Sequence, residues 1–84
     1  MIKLVYLARL REAFGRAMEE IELPGAVRDV AALLDLLRAR GGNWACELAP
    51  GRAVRIAVNQ EMAQLKTAVA AGDEIALFPP VTGG

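Results

Sequence analysis

The chain has 84 residues, which suffices for one domain but not for two separate hydrophobic cores. Apolar residues make up 55% and charged residues 24%, a composition that excludes a disordered chain. Ten basic residues balance ten acidic ones, which argues against a nucleic-acid-binding protein. No apolar run is long enough to span a bilayer and no signal peptide is visible, so we expect a cytoplasmic protein without a membrane partner.

The residue types that are missing restrict the chemistry further. The sequence has no histidine and no serine, and Cys46 is its single cysteine. Catalysis by a Ser-His-Asp or Cys-His set is therefore impossible within this chain, and so is a zinc site built from cysteine and histidine. Neither glycine-rich phosphate-binding fingerprint is present. We expect no permanently bound cofactor and no metal.

The first half of the chain predicts two strands followed by a helix. Residues 2–7 and 17–23 have the composition of strands, with the glutamates of the second strand outside, and a connection over 8–16 ends at Gly15. A short link of this kind usually joins an antiparallel hairpin. Pro24-Gly25 ends the second strand. Apolar residues at helical spacing then predict a helix over 27–40: Val30, Leu33, Leu34 and Leu37.

The middle of the chain is less regular. Residues 43–52 are predicted to form a loop, in which Trp44 and Leu48 cover one end of the core. Cys46 lies in the same segment and is predicted to be a small buried thiol. Residues 53–58 alternate between apolar and other side chains, which indicates a half-buried strand.

The last third contains a turn and the final strand. Asn59-Gln60 begins a turn, and residues 61–71 are predicted to form a short strand or a crossing loop. Residues 74–78 form the last strand, and Pro79-Pro80 ends it because proline cannot donate a hydrogen bond to a neighbouring strand.

One helix covers only one face of a sheet of four or five strands. The simplest compact arrangement is an α+β roll in which the helix crosses a mixed sheet. Its predicted core consists of apolar residues on that side: Ile2, Leu4, Tyr6, Val30, Leu33, Leu34, Leu37, Val54, Ile56, Val58, Ile75 and Leu77. The opposite face then carries Val5, Leu7, Ala76 and Phe78. Such an apolar patch indicates a protein partner, and scattered surface apolar residues are the alternative.

The end of the sequence suggests a chemical role. Gly83-Gly84 has no side chains and could enter a narrow channel, and the six residues 79–84 reach about 20 Å when extended. The reactive group there is the terminal carboxylate. ATP can convert a carboxylate into an acyl-adenylate, from which a sulfur source displaces AMP to leave a nucleophilic thiocarboxylate. Such a carrier needs no catalytic side chain of its own, whereas a frayed terminus is the alternative reading.

Three segments carry a resemblance to a known family: MIKLVYLARLREAFG at the start, AVNQ at 57–60 and AGDEIALFPPVTGG at 71–84. With these segments the chain resembles the ThiS/MoaD family of ubiquitin-like sulfur carriers over nearly its whole length. Within that family, the small subunits of molybdopterin synthase are the most similar in sequence pattern. The resemblance implies a β-grasp domain over residues 1–78 and an extended diglycine tail over 79–84.

The resemblance also implies a function. A MoeB-like activating enzyme adenylates Gly84 with ATP, and a sulfur donor converts the adenylate to a thiocarboxylate. The tail then enters a pocket of a MoaE-like large subunit, within a heterotetramer. There the sulfur passes to cyclic pyranopterin monophosphate and builds the dithiolene of molybdopterin. The chain is then one subunit of a sulfurtransferase whose catalytic side chains belong to the large subunit.

The family pattern assigns site residues by position. Gly84 is the sulfur donor, preceded by Gly83, and the partner-binding residues are Leu7, Arg11, Phe78, Pro79, Pro80, Val81 and Thr82. An aromatic residue occupies the position of Leu7 in other members, which lowers the contribution expected from Leu7. An ordinary solvated arginine is the alternative reading of Arg11.

Three other functions remain open at this point. The first is a sulfur carrier for thiamine or for thiolated tRNA. The second is a ubiquitin-like protein tag, joined through the carboxylate of Gly84 to a lysine. The third is a β-grasp adaptor whose tail does no chemistry.

Overall fold

A computed structural model, which describes residues 1–80, folds this part of the chain into a five-stranded sheet and three helices. The elements in chain order are β1 (Ile2–Tyr6), α1 (Arg9–Phe14), β2 (Met18–Ile21), α2 (Val30–Arg38), α3 (Gly42–Glu47), β3 (Arg55–Val58), β4 (Glu61–Met62) and β5 (Glu74–Phe78).

The order of the strands across the sheet is β2-β1-β5-β3-β4. The first and last strands lie side by side and run parallel, whereas every other neighbouring pair is antiparallel. Helix α2 packs on one face of this mixed sheet through the residues predicted from its helical spacing. The predicted α+β roll is confirmed, and its topology is that of the β-grasp fold.

The core lies between α2 and the sheet. All twelve predicted core residues belong to it, although Val54 and Val58 are only half-buried at its edge. The structure adds buried residues that are not among the twelve predicted for the core: Leu10, Phe14, Val27, Leu48 and Val69. Leu4, Tyr6, Leu37 and Leu77 have no measurable exposure, so the middle of this face of the sheet is completely covered.

The segment 8–16 is not a plain connection, as predicted, but contains α1. The helix has only six residues, too few for a helical period to be visible in the sequence. Burial of Leu10 and Phe14 fixes its position against the core. Gly15 ends the helix with φ at 70°, and its N–H donates to the carbonyl of Arg11 at 3.1 Å.

The prediction of an irregular segment over 43–52 is also wrong in its first part, which is α3. Leu48 is buried and Trp44 packs against the core, as predicted. Cys46, however, is exposed, so its assignment as a buried thiol is wrong. The reason is helical geometry: Cys46 follows Trp44 by two residues and therefore points about 200° away from the side of α3 that faces the core.

Helix α2 is shorter than the predicted span of 27–40 because Asp29 is its N-cap residue. The carboxylate of Asp29 accepts a hydrogen bond from the N–H of Ala32 at 2.9 Å. The segment 61–71 runs along the start of this helix after the two-residue strand β4. There the carbonyl of Thr67 accepts from the N–H of Val30 at 3.0 Å. The segment is thus both a short strand and a crossing loop.

No helix within residues 1–80 has the length and apolar character needed to cross a membrane.

Candidate partner-binding face

The face of the sheet opposite α2, here called the open face, carries a continuous apolar row. The strand pairing aligns Met18 with Val5, Val5 with Ala76, Ala76 with Ala57, and Ala57 with Met62. The row therefore crosses all five strands at the same height. We call these five residues the apolar row.

The ends of the apolar row are the most exposed. Met18 is 53% exposed and Met62 62% exposed, whereas Val5 and Ala76 in the middle are half-buried by their neighbours. Large apolar side chains that are held in water at both edges of a sheet typically mark a protein-binding surface. Methionine suits such a surface because its flexible thioether adapts to differently shaped partners.

On one side of this row the open face carries the apolar residues Leu7 and Phe78 together with Arg55, and on the other side it is charged. Phe78 pairs with Arg55, and the N–H of Leu7 donates to the carbonyl of Leu77 at 3.0 Å, which places Leu7 at the same end of the sheet. On the other side of the row, Lys3 lies 3.8 Å from Glu74. The apolar surface thus extends toward the C-terminal end of β5, where the chain continues into 79–84.

The structure brings several of the predicted site residues to this end of the open face. Leu7 is 45% exposed, and Phe78, Pro79 and Pro80 are half-buried. Arg11 lies close by in α1 but not on a strand, and it lines a shallow cleft with Gly15 and Arg16. Four residues of the predicted site lie outside the described part of the chain: Val81, Thr82, Gly83 and Gly84.

The face predicted from the sequence does not include four residues that the strand pairing places on it: Met18, Arg55, Ala57 and Met62. The signal that could have found Met18 is the hairpin register, because pairing Met18 with Val5 places both on the same face. Met62 could be placed on this face only by predicting a tight turn at Asn59-Gln60, which pairs Met62 with Ala57. The φ angles of these two residues, 50° and 70°, fit a two-residue hairpin.

A cluster of polar side chains lies on the helix side of the sheet, at the edge strand β2. Tyr6 donates a 2.6 Å hydrogen bond to Glu19, and Arg40 donates to the two carboxylate oxygens of Glu19 at 2.8 and 3.1 Å. The prediction that the glutamates of this strand lie outside is therefore wrong for Glu19, which faces the helix side because Tyr6 and Arg40 satisfy its charge.

The electrostatics of this cluster are those of a stabilising contact. Burial, together with the neighbouring carboxylate of Glu19, raises the pKa of Tyr6 far above its usual value. Burial alone would raise the pKa of Glu19, but the hydrogen bonds from Arg40 and Tyr6 outweigh it, so this pKa lies below its usual value. The hydrogen bond to Glu19 raises the pKa of Arg40. All three groups keep their ordinary charge at neutral pH.

The described residues do not bring together the parts of a catalytic centre. Within residues 1–80, no group of three or more His, Cys, Asp or Glu side chains could hold a metal ion. The same part of the chain has no buried side-chain nitrogen or oxygen atom without a hydrogen-bond partner. What this body offers chemically is a binding surface next to the segment that leads to Gly84.

Known proteins resemble this chain over its full length. The sequence profile of the ThiS family matches residues 4–84. Two curated relatives are named molybdopterin synthase sulfur carrier subunit. The one from Haemophilus influenzae is 38% identical and the one from Escherichia coli 37% identical, each covering 100% of both chains. The crystal structure of SAMP1 from Haloferax volcanii has a TM-score of 0.79 at 32% identity, covering 99% of this chain and 98% of that one.

The family match and the fold agree. The profile covers both the β-grasp body and the diglycine end, and the identity to the two curated relatives extends over the same residues. The chain therefore belongs to the ThiS family.

Proposed function

We propose that this protein is the sulfur-carrier subunit of a molybdopterin synthase. The observation that carries the proposal is the identity of 37–38% over the whole of two curated proteins with that name. The absence of histidine and serine agrees with a carrier whose reactive group is its own carboxylate. The partner is a MoaE-like large subunit, with which the chain forms a heterotetramer in the cytoplasm.

The proposed chemistry takes place at the carboxylate of Gly84. A MoeB-like enzyme joins this carboxylate to the AMP part of ATP and releases pyrophosphate. A sulfur donor then displaces AMP and leaves the thiocarboxylate. In the synthase, the sulfur forms a bond to a carbon of cyclic pyranopterin monophosphate while a carbon–oxygen bond at that carbon breaks and the oxygen leaves as water. A second water molecule then cleaves the bond between the acyl carbon and the sulfur. The carboxylate is restored, and the sulfur remains in the dithiolene.

The geometry of the body supports this role. The apolar row and the side chains of Leu7 and Phe78 form a surface that ends where the chain leaves β5. A partner bound to the open face would therefore receive residues 79–84 at a fixed position on the partner's surface. Residues 79–84 are expected to enter its pocket, with the glycines at the narrowest part.

The mass of the intact protein tests the carrier chemistry. The full chain is incubated with a MoeB-like enzyme, ATP and sulfide, and its mass is then measured. We expect a gain equal to the replacement of one oxygen by one sulfur, located in the C-terminal peptide. A chain that lacks Gly84 is the control and should gain nothing. An unchanged mass of the full chain, with an enzyme that activates another carrier, would contradict the proposal.

A pair of matched substitutions tests the partner surface. Phe78→Asp places a charge in the contact with the large subunit, where it would be buried without a partner, and should abolish the complex. Leu65→Asp makes the same change at a side chain that is 59% exposed and lies away from the open face, so it should leave binding intact. The complex is measured by calorimetry. Equal binding by both variants would show that the open face is not the interface.

A second candidate function is a protein tag. It is favoured by the similarity to the Haloferax volcanii protein, which is also described as small archaeal modifier protein 1. In that case the activated Gly84 would form an isopeptide bond with a lysine of another protein. Incubation with cell extract, the activating enzyme and ATP separates the two functions. A tag yields tryptic peptides in which a lysine of the target carries residues 67–84 of this chain, joined through Gly84, and a carrier yields only the thiocarboxylate.

A further inference from the structure

The charges of this net-neutral chain are separated along the direction of the strands. We call the end at which β1 and β5 finish the tail end, and the opposite end of the sheet the far end. The arginines at or next to the tail end are Arg9, Arg11, Arg16, Arg52 and Arg55. Three carboxylates belong to the same end: Glu12, Glu47 and Glu19, the last of which lies 3.4 Å from Arg16 and is shared with Arg40.

The far end has the opposite character. At the far end β4 and β5 begin, and β2 and β3 end. Five carboxylates therefore lie together there: Glu20, Glu22, Glu61, Asp73 and Glu74. Lys3, the basic side chain on the strands of this end, is already paired with Glu74 at 3.8 Å, and Arg28 and Lys66 lie nearby around the start of α2. The ten basic and ten acidic residues therefore cancel in the sum but not in space.

Local ion pairs do not neutralise the tail end. Arg9 and Arg52 share one carboxylate, that of Glu47, each at 3.2 Å. Within residues 1–80, Arg11 and Arg55 take part in no ion pair, and both are exposed. Arg55 pairs in register with Phe78, so this positive charge directly borders the apolar part of the open face.

We infer that the partner surface around the pocket for the tail is rimmed by carboxylates, and that the charge polarity of this chain orients its approach. The inference rests on the proposed function, in that it names the chemistry of the surface that receives the tail. A basic tail end and an acidic far end give the molecule a dipole along the strands. An acidic rim attracts the tail end and repels the far end, so the chain arrives with residues 79–84 facing the pocket.

The physics separates this effect from the contacts of the bound complex. Apolar contacts at Phe78 and the apolar row act only at short range and determine mainly how slowly the complex dissociates. Exposed charges act over roughly 8 Å at physiological ionic strength, and therefore determine mainly how fast the partners associate. The orienting effect is thus a property of the association rate and its dependence on salt.

Stopped-flow association of the full chain with its MoaE-like large subunit tests the inference. We expect the association rate constant to fall by about tenfold between low and high salt, with little change in the dissociation rate constant. The double variant Arg11→Glu/Arg55→Glu should associate roughly tenfold more slowly than the wild type at low salt. At high salt the difference should nearly disappear.

Lys66→Glu is the matched control. This exposed lysine lies in the loop beside the start of α2, away from the tail end, and a circular dichroism melt verifies that all variants fold. Each substitution changes the charge by the same amount, and we expect the control to alter the association rate less than about twofold. A complex with a salt-independent association rate would overturn the inference alone. Equal slowing per substitution in the control would overturn it too, because net charge would then explain the rates. No complex at any salt concentration would overturn the proposed function and, with it, this inference.

Discussion

The two faces of the sheet use the same strands in different ways. On the face covered by α2, Leu4, Ile75 and Leu77 are completely buried. On the open face, their chain neighbours Val5, Ala76 and Phe78 are also apolar but only half-buried. A strand with one wet face normally alternates apolar and polar residues. β1 and β5 largely lack that alternation, and a second apolar face of this kind is typical of a surface that binds a partner.

The comparison is sharper at the edge strand β2, where the usual distribution is inverted. Glu19 faces the helix side and Met18 faces the open side. The carboxylate is tolerated because Tyr6 and Arg40 satisfy it, whereas Met18 is 53% exposed. On the helix side, even the charged side chain of Glu19 is largely covered. On the open side, even the apolar side chain of Met18 is exposed to solvent.

Two adjacent residues of β5 give the largest expected difference. Leu77→Ala leaves a cavity in the closed core and should lower the free energy of unfolding by about 2–5 kcal/mol. Phe78→Ala should cost less than about 1.5 kcal/mol, because half-buried side chains lose less contact area. Urea unfolding measures both. Binding of the large subunit by the folded variants should show the reverse order, with the larger loss of affinity for Phe78→Ala. If Leu77→Ala caused the larger loss in both stability and affinity, the two faces would not have separate roles.

Glu19→Gln tests the polar contact on the closed side. The variant should be destabilised by about 1–3 kcal/mol near neutral pH, because it weakens hydrogen bonds to a charged group. The pKa of Glu19 is lowered in the folded protein, so the stabilisation is fully present above the unfolded value near 4.5 and is lost as the pH falls through the folded value. Urea unfolding at several pH values should show the wild type and the variant converging in acid. If the difference in unfolding free energy between the wild type and the variant did not change with pH, the effect would come from packing and not from the charge of Glu19.

Ala8→Gly tests the turn at which the chain passes from exposed Leu7 to buried Leu10. The N–H of Leu10 donates to the carbonyl of Leu7 at 3.2 Å, and Ala8 between them has φ 53° and ψ −130°. Glycine is the residue favoured at this position of a type II′ turn. Glycine removes the backbone strain of alanine at this φ but adds an entropic cost of folding. The net result should be stabilisation by about 1 kcal/mol, measured by thermal unfolding. Ala13→Gly, inside α1, is the contrasting control and should destabilise.

Met18→Ser should have the smallest effect on folding. The side chain is more than half exposed, so the free energy of unfolding should change by less than about 0.5 kcal/mol. Binding of the large subunit, measured by calorimetry, should nevertheless weaken, because Met18 ends the apolar row. Unchanged affinity would limit the interface to the centre of the sheet.

The sequence predicts the long periodic elements well and the short ones poorly. The stripe of α2 and the bounds of β5 are confirmed, since burial on one or both faces imposes a pattern that can be read locally. Helices α1 and α3 have six residues each and exist because Leu10, Phe14 and Trp44 pack together, which is tertiary information. Cys46 is exposed and not, as predicted, buried, because the sequence does not reveal that α3 contains it.

The candidate site divides in a similar way. Phe78 and Leu7 could be placed on one face from strand alternation alone, and the structure confirms that position. The full width of the apolar row could not be predicted, because Met18 and Met62 join it only through pairing across the sheet. The roles of Gly83 and Gly84 stay predictions from the family pattern.

The position of β5 in the middle of the sheet affects how the protein is made. The strand that is synthesised last lies between β1 and β3 and supplies hydrogen bonds to both. Before it leaves the ribosome, neither strand has its central neighbour, and α2 has only part of a surface to cover. A chain that lacks β5 therefore leaves the facing edges of β1 and β3 without their hydrogen-bond partner, which makes it prone to aggregation and proteolysis.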